Sequence, residues 1–547
     1  MTNEWNLAAT WNVIAAAQPD APALRHGDTV VSWGAFDQRA ASLAAWLRTR
    51  TSGTPQAKVG LYLVNAPSYL EAFYASLRAG LVPVNTNFRY TGDELVYLWA
   101  DADVEVVLFH RRFTDTIDAI RPQLNGIRQW LCVDDGTGPA PSWATPYEAA
   151  IQEGLEADPA PAPTSGDDIV LLYTGGTTGM PKGVMWRQDD LFGLLNASAL
   201  KPYPIDEGLD GIRRARLERG PGFTNVVACP LMHGTGTLTA VTTLLGGGCV
   251  VTLQQPGFDP IELLDVATAH HADGIVIVGD TFAKPIAAAL DDRPGHWDLG
   301  DLKVILSSGT MWSEPVKTRL SRHLPNTLLV DRLGSSEALG LGASVSGGAT
   351  AASTASFLPG ADAVVLDDDD APVVAGAGAI GRIAVKGRCP VGYYKDPEKS
   401  ARTFPVIDGV RYSVPGDLAA VEPDGSIRLL GRGSGVINTG GEKVFAEEVE
   451  EILKTYPGVT DAGVVGVPDD RFGTAVGAVV ATSEPIDPNE LLAHVKTQLA
   501  AFKAPRHIVL TDDLGRAANA KLDYAALRAL IEAALARNPE VGTAATR

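Results

Sequence analysis

The stretch Tyr173–Val184, YTGGTTGMPKGV, is the part of the sequence that decides the fold. The apolar run Ile169–Tyr173 predicts a buried strand that enters it, and the glycines before the lysine let the backbone turn sharply. Such a turn points several N–H groups into one concavity that binds anions. Lys182 adds a positive charge, and the neighbouring Pro181 and Gly183 exclude the G-x-x-x-x-G-K-[ST] type of phosphate loop. A flexible loop with a solvated lysine is the alternative, but the whole string favours an anion site.

Apolar runs of strand length alternate with helical patterns on both sides of this loop. Pro67–Ala79 has the pattern of a helix, and Gly80 stands just past its end, where glycine is favoured. Strands separated by helices form parallel sheets that are covered on both faces. The sequence therefore predicts an α/β fold with a large N-terminal region of doubly wound, mixed or parallel sheets. The predicted strands are Val59–Val64, Val104–His110, Trp130–Val133, Ile169–Tyr173, Val226–Cys229, Cys249–Leu253, Gly274–Val278, Val304–Leu306 and Thr327–Val330.

The composition changes twice toward the C-terminus. Residues 361–420 contain short apolar runs and many turn residues, which predict a small β-rich unit, and the Gly/Ala/Ser-rich residues 341–358 predict a mobile loop before it. After Gly431, helical and strand patterns predict a compact α+β domain of about a hundred residues. We therefore expect a large domain over residues 1–432 and a small mobile C-terminal domain over residues 433–547.

The overall composition limits the class of protein. The 547 residues carry a net charge of -20, and 45% are hydrophobic, as in soluble globular proteins. An acidic chain disfavours nucleic acid as a partner. The sequence has neither a signal-peptide pattern nor a run near the roughly 20 apolar residues of a membrane span. We expect a cytoplasmic protein without stable membrane insertion, and its four cysteines have spacings that suit free thiols rather than a metal or a disulfide framework.

YTGGTTGMPKGV resembles the signature loop of the adenylate-forming superfamily, which includes acyl-CoA synthetases, luciferases and peptide-synthetase adenylation domains. The resemblance implies that the loop holds the β- and γ-phosphates of ATP, which leave as pyrophosphate. It also implies that Thr174 and Lys182 take part in catalysis. The ATP-binding residues implied in the loop are Thr174, Gly175, Gly176, Thr177, Thr178, Gly179 and Lys182.

The segment Asp331–Glu337, DRLGSSE, resembles the family's metal motif. The resemblance implies that Glu337 is a catalytic residue that holds Mg²⁺, that Ser336 supports a phosphate and that Asp331 lies near the adenine. A carboxylate suits Mg²⁺, which takes one or two protein oxygens together with waters and phosphate oxygens. Leu333 stands where the family usually has an aromatic ring against the adenine. Without this context, Ser-Ser-Glu is typical of a helix N-cap.

The segment Tyr412–Leu418, YSVPGDL, resembles the ribose motif of the family. The resemblance implies that Asp417 accepts hydrogen bonds from both ribose hydroxyls, as a carboxylate can. Gly431 and Arg432 resemble the domain junction, which implies that Arg432 also lies near the ribose. Ser434 takes the position of the hinge, where the family commonly has Asp or Lys.

Two C-terminal motifs resemble those that serve the two half-reactions. Asn438–Glu450, NTGGEKVFAEEVE, resembles the segment that closes on the site for thioester formation, with CoA contacts implied at Gly440, Gly441 and Lys443. Glycine suits a position where the pantetheine arm must slide past the backbone. The later sequence NAKLD resembles the loop whose lysine catalyses adenylation, here Lys521. The departures from the family pattern are Ala446, Gly515 and Ala520.

His233, in the sequence PLMHG, matches a family position at the entrance of the acyl pocket, which implies a catalytic and acyl-binding role. A partly buried histidine bonded to backbone is the alternative. Residues 194–224 are predicted to be an insertion near this pocket that could shape it. The pocket walls implied by the resemblance are Met232, Gly234, Thr235, Gly236, Thr237, Gly279, Asp280, Gly309 and Thr310.

Together the motifs predict an AMP-forming acyl-CoA synthetase that uses ATP, Mg²⁺ and CoA. Phrases such as VNTNFRYTGDEL and GRGSGVINTGGEKV resemble an actinobacterial group that includes enzymes activating steroid side-chain carboxylates. This implies a bulky, branched or steroid-linked acid first, and a medium- or long-chain fatty acid second. The alternatives are an enzyme that delivers its acyl group to a carrier protein, a luciferase-like oxygenase and a regulator without catalysis. The sequence leaves open the acid and the oligomeric state, for which a homodimer is one option.

Overall fold

The computed structural model divides the chain into two compact units. The first comprises Met1–Thr354, Pro359–Ala363 and Ala384–Val414, and the second comprises Ala355–Leu358, Val364–Ile383 and Pro415–Arg547. The residues that the structure describes are 5–90, 92–157, 162–174, 181–255, 257–310, 312–348, 352–432, 435–439, 442–469, 473–499, 501–516 and 522–537. Helices and strands are numbered here in chain order.

One sheet of the first unit carries the predicted metal motif. Its strands are β1 (Pro22–His26), β2 (Thr29–Ser32), β10 (Thr224–Val227), β11 (Cys249–Thr252), β12 (Gly274–Ile277), β13 (Val304–Ser308), β14 (Leu328–Leu333) and β15 (Gly342–Ser346). They lie in the order β2-β1-β11-β10-β12-β13-β14-β15. In this order, all neighbouring strands between β1 and β14 are parallel. The two outer strands are antiparallel to their neighbours, β2 to β1 and β15 to β14.

A second sheet of the same unit carries the predicted phosphate loop. Its strands are β3 (Lys58–Tyr62), β4 (Val82–Asn85), β5 (Val104–His110), β6 (Gln129–Val133), β7 (Thr145–Pro146), β8 (Ile169–Thr174), β9 (Lys182–Arg187) and β19 (Gly392–Tyr393), in the order β19-β9-β8-β4-β3-β5-β6-β7. The sheet is buried on both faces, as the side chains of β5 show. Val106 and Leu108 lie in one apolar core, and Val107 and Phe109 lie in another. This is the doubly covered sheet that the apolar runs predicted.

Helices cover both sheets of the first unit. The predicted helix at Pro67 is confirmed: it ends before Gly80, whose φ of +70° favours glycine. No helix in the described ranges is long and apolar enough to cross a membrane. The helices of this unit are α1 (Leu7–Ala17), α2 (Trp33–Arg50), α3 (Pro67–Arg78), α4 (Asp93–Asp101), α5 (Thr114–Ile120), α6 (Tyr147–Glu156), α7 (Gln188–Ala197), α8 (Gly208–Arg219), α9 (Gly234–Leu245), α10 (Pro260–Ala269), α11 (Gly279–Asp292), α12 (Glu314–His323) and α13 (Pro397–Thr403), and two short strands follow, β20 (Val406–Ile407) and β21 (Val410–Ser413).

The second unit contains a small β-rich part and the predicted α+β part. The β-rich strands are β16 (Ser356–Pro359), β17 (Ala363–Leu366), β18 (Ile380–Lys386), β22 (Asp417–Val421) and β23 (Ile427–Arg432), and the later elements are β24 (Val436–Thr439), β25 (Glu442–Phe445), α14 (Ala446–Lys454), β26 (Val459–Asp469), β27 (Gly473–Thr482), α15 (Pro488–Gln498), β28 (His507–Thr511) and α16 (Tyr524–Arg537). Side chains of β27 alternate between two cores, with Val476 and Ala478 in one and Ala475 and Val479 in the other. The predicted boundary after residue 432 falls inside this unit and stays a prediction.

The expectation that residues 341–358 form a loop is wrong. Residues 341–358 are not simply a loop, because they contain β15 and most of β16, and β15 pairs antiparallel with β14. Small Gly, Ala and Ser side chains concealed these strands, since pairing rather than intrinsic propensity forms them. The role of the insertion at residues 194–224 in the acyl pocket stays a prediction. Its helix α8 packs on α1, and Arg216 donates to Gly246 O at the C-terminal end of α9.

Candidate active site

The predicted phosphate loop begins and ends on two paired strands. Strands β8 and β9 are antiparallel, and Thr174 lies opposite Lys182 in their register. A side chain at Gly183 would meet the Tyr173 ring at 2.7 Å, which explains the glycine after the lysine. The remaining loop residues lie outside the described ranges, so their phosphate contacts stay predictions. They are Gly175, Gly176, Thr177, Thr178 and Gly179.

Lys182 forms an ion pair with a residue that the sequence reasoning missed. Its Nζ lies 3.3 Å from Asp396 Oδ2, and a third of the lysine side chain is exposed. Asp396 also caps α13, because its Oδ1 accepts from Lys399 N at 3.0 Å. Desolvation lowers the pKa of Lys182, but the hydrogen bond to Asp396 and the charges of Asp396, Tyr97 and Asp101 together outweigh it, so the pKa lies above its usual value. The lysine is therefore held protonated beside the loop.

Side chains from other parts of the first unit hold the backbone of the segment around Ser336 and Glu337. Trp186 Nε1 donates to Ser336 O at 2.8 Å, and Ser413 Oγ donates to Glu337 O at 2.6 Å. No helix begins here, so the alternative of a helix N-cap is excluded. The Glu337 carboxylate accepts from Tyr393 Oη at 2.9 Å through Oε1.

The surroundings of Glu337 fit a Mg²⁺ ligand. Within the part of the chain that the structure describes, no lysine, arginine or histidine forms an ion pair with this carboxylate. The same ranges contain no group of three or more His, Cys, Asp or Glu side chains that could hold a metal ion. One uncompensated carboxylate suits a Mg²⁺ that takes its other oxygens from water and phosphate.

Asp331 points away from solvent toward α12. Its Oδ2 lies 3.6 Å from Nζ of Lys317, and both side chains are almost fully buried. Burial raises the pKa of Asp331 to about 6 even though Lys317 lowers it. Sequence reasoning missed Lys317, because a lysine in a helical pattern predicts a solvated side chain.

Two asparagines, Asn85, which is buried, and Asn65, which is half-buried, hold the turn that carries His233. Asn85 Nδ2 donates to Met232 O at 2.6 Å and to Tyr173 O at 2.9 Å, while its Oδ1 accepts from Tyr173 N at 2.7 Å. Asn65 binds the same turn through Cys229 O and Leu231 N. Asn85 thus joins the strand that enters the phosphate loop to the predicted acyl motif. In the sequence, Asn85 is part of the family-like phrase VNTNFRYTGDEL, which predicted no role for it.

The acyl motif adjoins the metal motif. Gly234 begins α9, and a side chain there would lie 3.1 Å from Ser336 Oγ. His233 precedes the helix and is half-buried, and its backbone N donates to Pro230 O at 3.1 Å. Met232 is buried against Phe88, whose N lies 3.2 Å from the Met232 sulfur. The predicted pocket residues of this turn therefore do lie beside the predicted nucleotide residues.

The other predicted pocket residues lie at the ends of β12 and β13. Gly279 N donates to Ser307 Oγ at 2.9 Å, and Gly309 has a φ of +97° that favours glycine. A side chain at Gly309 would lie 3.3 Å from Thr235 Oγ1, so this turn reaches the start of α9. The Thr310 hydroxyl is buried and has no hydrogen-bond partner in the described ranges.

In the second unit, Asp417 and Arg432 are opposite each other. Strands β22 and β23 are antiparallel, with Asp417 in register with Arg432. The side chain of Arg432 is outside the described part, as are Ser434, Gly440, Gly441, Lys521 and the side chain of Lys443. Lys443 itself lies on β25, which pairs with β24. The ribose, hinge, CoA and catalytic-lysine roles therefore stay predictions.

Comparison with known proteins decides the family. The model of the AMP-binding enzyme family matches residues 11–394, and that of the AMP-binding enzyme C-terminal domain matches residues 448–521. The chain belongs to the AMP-binding enzyme family. This AMP-binding enzyme is 38% identical over 522 residues to a medium/long-chain-fatty-acid–CoA/3-oxocholest-4-en-26-oate–CoA ligase of Mycolicibacterium smegmatis, with 93% of each chain covered. It is 36% identical to a 3-oxocholest-4-en-26-oate–CoA ligase of Rhodococcus rhodochrous, with 92% of each covered.

Among solved structures, this AMP-binding enzyme is similar to the anthranilate CoA ligase AuaEII in complex with anthranoyl-AMP. The TM-score is 0.81 at 20% identity, and 98% of this chain and 99% of the other are covered. At this identity the likeness shows the fold alone. The expected superfamily, the α/β fold and the class of AMP-forming acid–thiol ligase are confirmed by the family match and the named ligases.

Proposed function

We propose that this AMP-binding enzyme is an acyl-CoA synthetase for a hydrophobic carboxylic acid. It joins the acid to AMP with release of pyrophosphate, and then transfers the acyl group to the thiol of CoA. The observation that supports this most is the closeness of the acyl motif to the metal motif, because a Cβ at Gly234 would lie 3.1 Å from Ser336 Oγ. Asn85 adds a second link, from the acyl motif to the strand that enters the phosphate loop.

Adenylation requires a carboxylate to attack the α-phosphorus while pyrophosphate leaves, and both are anions. Catalysis is therefore mainly alignment and charge neutralisation. Lys182, which Asp396 keeps protonated, supplies a cation at the pyrophosphate end. Glu337 would hold Mg²⁺, which neutralises phosphate charge when bound. Lys521 would lie between the carboxylate and the α-phosphate, and Asp417 and Arg432 would hold the ribose.

Thioester formation would use the C-terminal motifs. Rotation about Ser434 would withdraw Lys521 and bring the segment with Gly440, Gly441 and Lys443 to the acyl-adenylate. One small domain would then complete two sites in turn. We propose a cytoplasmic enzyme, with a homodimer as its oligomeric state.

The similar ligases suggest the acid. Two of them are named for 3-oxocholest-4-en-26-oate, and one of these also for medium- and long-chain fatty acids. We therefore propose a steroid side-chain acid, or a medium- or long-chain fatty acid, as the substrate. The pocket would be built from the turn at Met232 and the ends of β12 and β13, and the role of the insertion at residues 194–224 stays open.

The test is incubation of the protein with Mg-ATP and a panel of acids, with and without CoA, and identification of products by mass. The panel holds short, medium and long fatty acids, aryl acids and steroid side-chain acids. A CoA thioester formed together with AMP supports the proposal and identifies the acid. Adenylate that never becomes thioester would indicate a carrier protein as acceptor. ATP binding without adenylate from any acid in the panel would contradict the proposal.

A further inference from the structure

Tyr393, in the family-like phrase PVGYYKDPEK, approaches the predicted metal ligand from a strand with no predicted site role. It lies on β19, which pairs antiparallel with β9, so that Tyr393 is opposite Val184. Tyr394 N donates to Gly183 O and Val391 N to Met185 O, both at 2.8 Å. Because β9 starts at Lys182, the tyrosine is attached directly to the strand that leaves the phosphate loop.

The tyrosine side chain itself is held tightly. It is 4% exposed and packs against Phe404 with the ring centroids 5.5 Å apart. Its backbone N donates to Ser400 Oγ at 2.8 Å, which fixes the turn into α13. Lys399 Nζ lies 4.3 Å from the ring centroid, where the ring face attracts a cation. The hydroxyl is thus a preorganised donor.

The hydrogen bond from Tyr393 occupies one oxygen of the Glu337 carboxylate and does not neutralise its negative charge. Tyr393 Oη donates to Glu337 Oε1 at 2.9 Å. A lysine or arginine in this place would neutralise the carboxylate, whereas a phenol only orients it. Ser413 already holds the backbone of Glu337. Tyr393 therefore restricts the rotation of the Glu337 side chain.

We propose that Tyr393 is a positioning residue that holds Glu337 in the orientation that binds Mg²⁺ with ATP. The inference rests on the proposed function, because it takes Glu337 to be the metal ligand. Partners that orient a metal ligand typically change metal affinity by about 10- to 100-fold when they are removed. The loss of Tyr393 therefore weakens Mg²⁺-dependent nucleotide binding and leaves acid binding unchanged.

The neighbouring residue provides a matched control. Tyr394 Oη also donates to a carboxylate, Asp103 Oδ2, at 2.8 Å, but on an exposed surface away from Glu337. Tyr393→Phe and Tyr394→Phe each remove one hydroxyl bonded to an acid. Only the first alters the predicted metal site, and phenylalanine preserves the ring that packs on Phe404.

The experiment titrates α,β-methylene-ATP, which cannot release pyrophosphate and therefore forms no acyl-adenylate, into the full chain by calorimetry at a series of MgCl₂ concentrations. Tyr393→Phe is expected to raise the half-saturating Mg²⁺ roughly 10-fold, with Tyr394→Phe equal to the wild type and melting temperatures alike. In a Glu337→Gln background, Tyr393→Phe should add no further shift. A normal Mg²⁺ dependence of Tyr393→Phe, or an additive shift in that background, overturns the inference alone. A normal Mg²⁺ dependence of Glu337→Gln overturns the metal-ligand role itself, and a wild type that forms no acyl-CoA overturns the proposed function.

Discussion

Lys317 Nζ lies 3.6 Å from Asp331 Oδ2, and the two side chains are only 1% and 6% exposed. Burial raises the pKa of Asp331 to about 6 although Lys317 opposes it, and burial lowers the pKa of Lys317. Removal from water thus outweighs the mutual attraction of the pair. Burial of this pair therefore costs some free energy of folding, and it holds in place the carboxylate that is predicted to lie near the adenine.

Lys317→Met leaves Asp331 buried without its counter-charge. We expect a loss of about 3–5 kcal/mol in the free energy of unfolding at pH 7.5. The folded pKa of Asp331 is raised, so its contribution to stability falls as the pH rises from its usual value of 3.8 to about 6. Because Asp331 can take up a proton at pH 5, the loss there should be smaller. Urea unfolding at both pH values measures this.

The control for Lys317→Met is the double variant with Asp331→Asn, which removes the buried charge as well. It should recover most of the lost stability at pH 7.5. An equal loss at pH 5 and pH 7.5, unrelieved in the double variant, would mean that packing rather than charge explains the effect.

Asn85→Asp tests the link between the acyl motif and the phosphate strand. Aspartate can still accept from Tyr173 N, but it cannot donate to Tyr173 O or Met232 O. We expect kcat/KM to fall about 10-fold or more for both ATP and acid, since losing a buried donor costs roughly 1–3 kcal/mol. Steady-state kinetics with each substrate varied gives the result.

Asn87 provides the comparison for Asn85, because its Oδ1 accepts from Arg89 N within its own turn and its side chain also bonds to Tyr90 there. Asn87→Ala should leave both kinetic constants near those of the wild type. If Asn85→Asp changed the constant for one substrate only, the two motifs would not be coupled through this side chain.

Asp396→Asn tests whether the carboxylate competes with phosphate for Lys182. Asparagine keeps the cap on α13 but removes the negative charge beside the lysine. A half-exposed pair of this kind contributes up to about 1 kcal/mol, so pyrophosphate should inhibit the variant about 2- to 5-fold more strongly. Inhibition constants for pyrophosphate against ATP measure it, and weaker inhibition would show that Asp396 instead orients the lysine for phosphate.

The strand and helix patterns of the sequence predicted the fold correctly because each pattern depends on local chemistry. The apolar run Ile169–Tyr173 became β8, and the helix predicted from Pro67 formed with its end at Gly80. Strand β15 was missed because Gly342–Ser346 has small residues whose strand state comes from pairing with β14. Propensity carries little information where a neighbouring strand supplies the stabilisation.

Side chains that act through other side chains were not predictable from the sequence. Tyr393, Asp396 and Lys317 each contact a recognised motif residue that belongs to a different segment of the chain. Their types, a tyrosine, an acid and a lysine, are ordinary in their own segments. The packing of α8 on α1 was equally unpredictable, because it joins residues about 200 positions apart.

Lys521→Ala tests the division of labour between the two half-reactions. The lysine is proposed to act only in adenylation, so its loss should lower acyl-adenylate formation by roughly 10²–10³, as the loss of one such electrostatic contact does. Thioester formation from supplied acyl-adenylate and CoA should remain close to that of the wild type. Single-turnover measurements of each half-reaction separate the two, and Lys496→Ala, at an exposed position on α15, is the matched control. If both half-reactions fell equally, the lysine would serve both conformations of the C-terminal domain, and a rotation that withdraws it would be excluded.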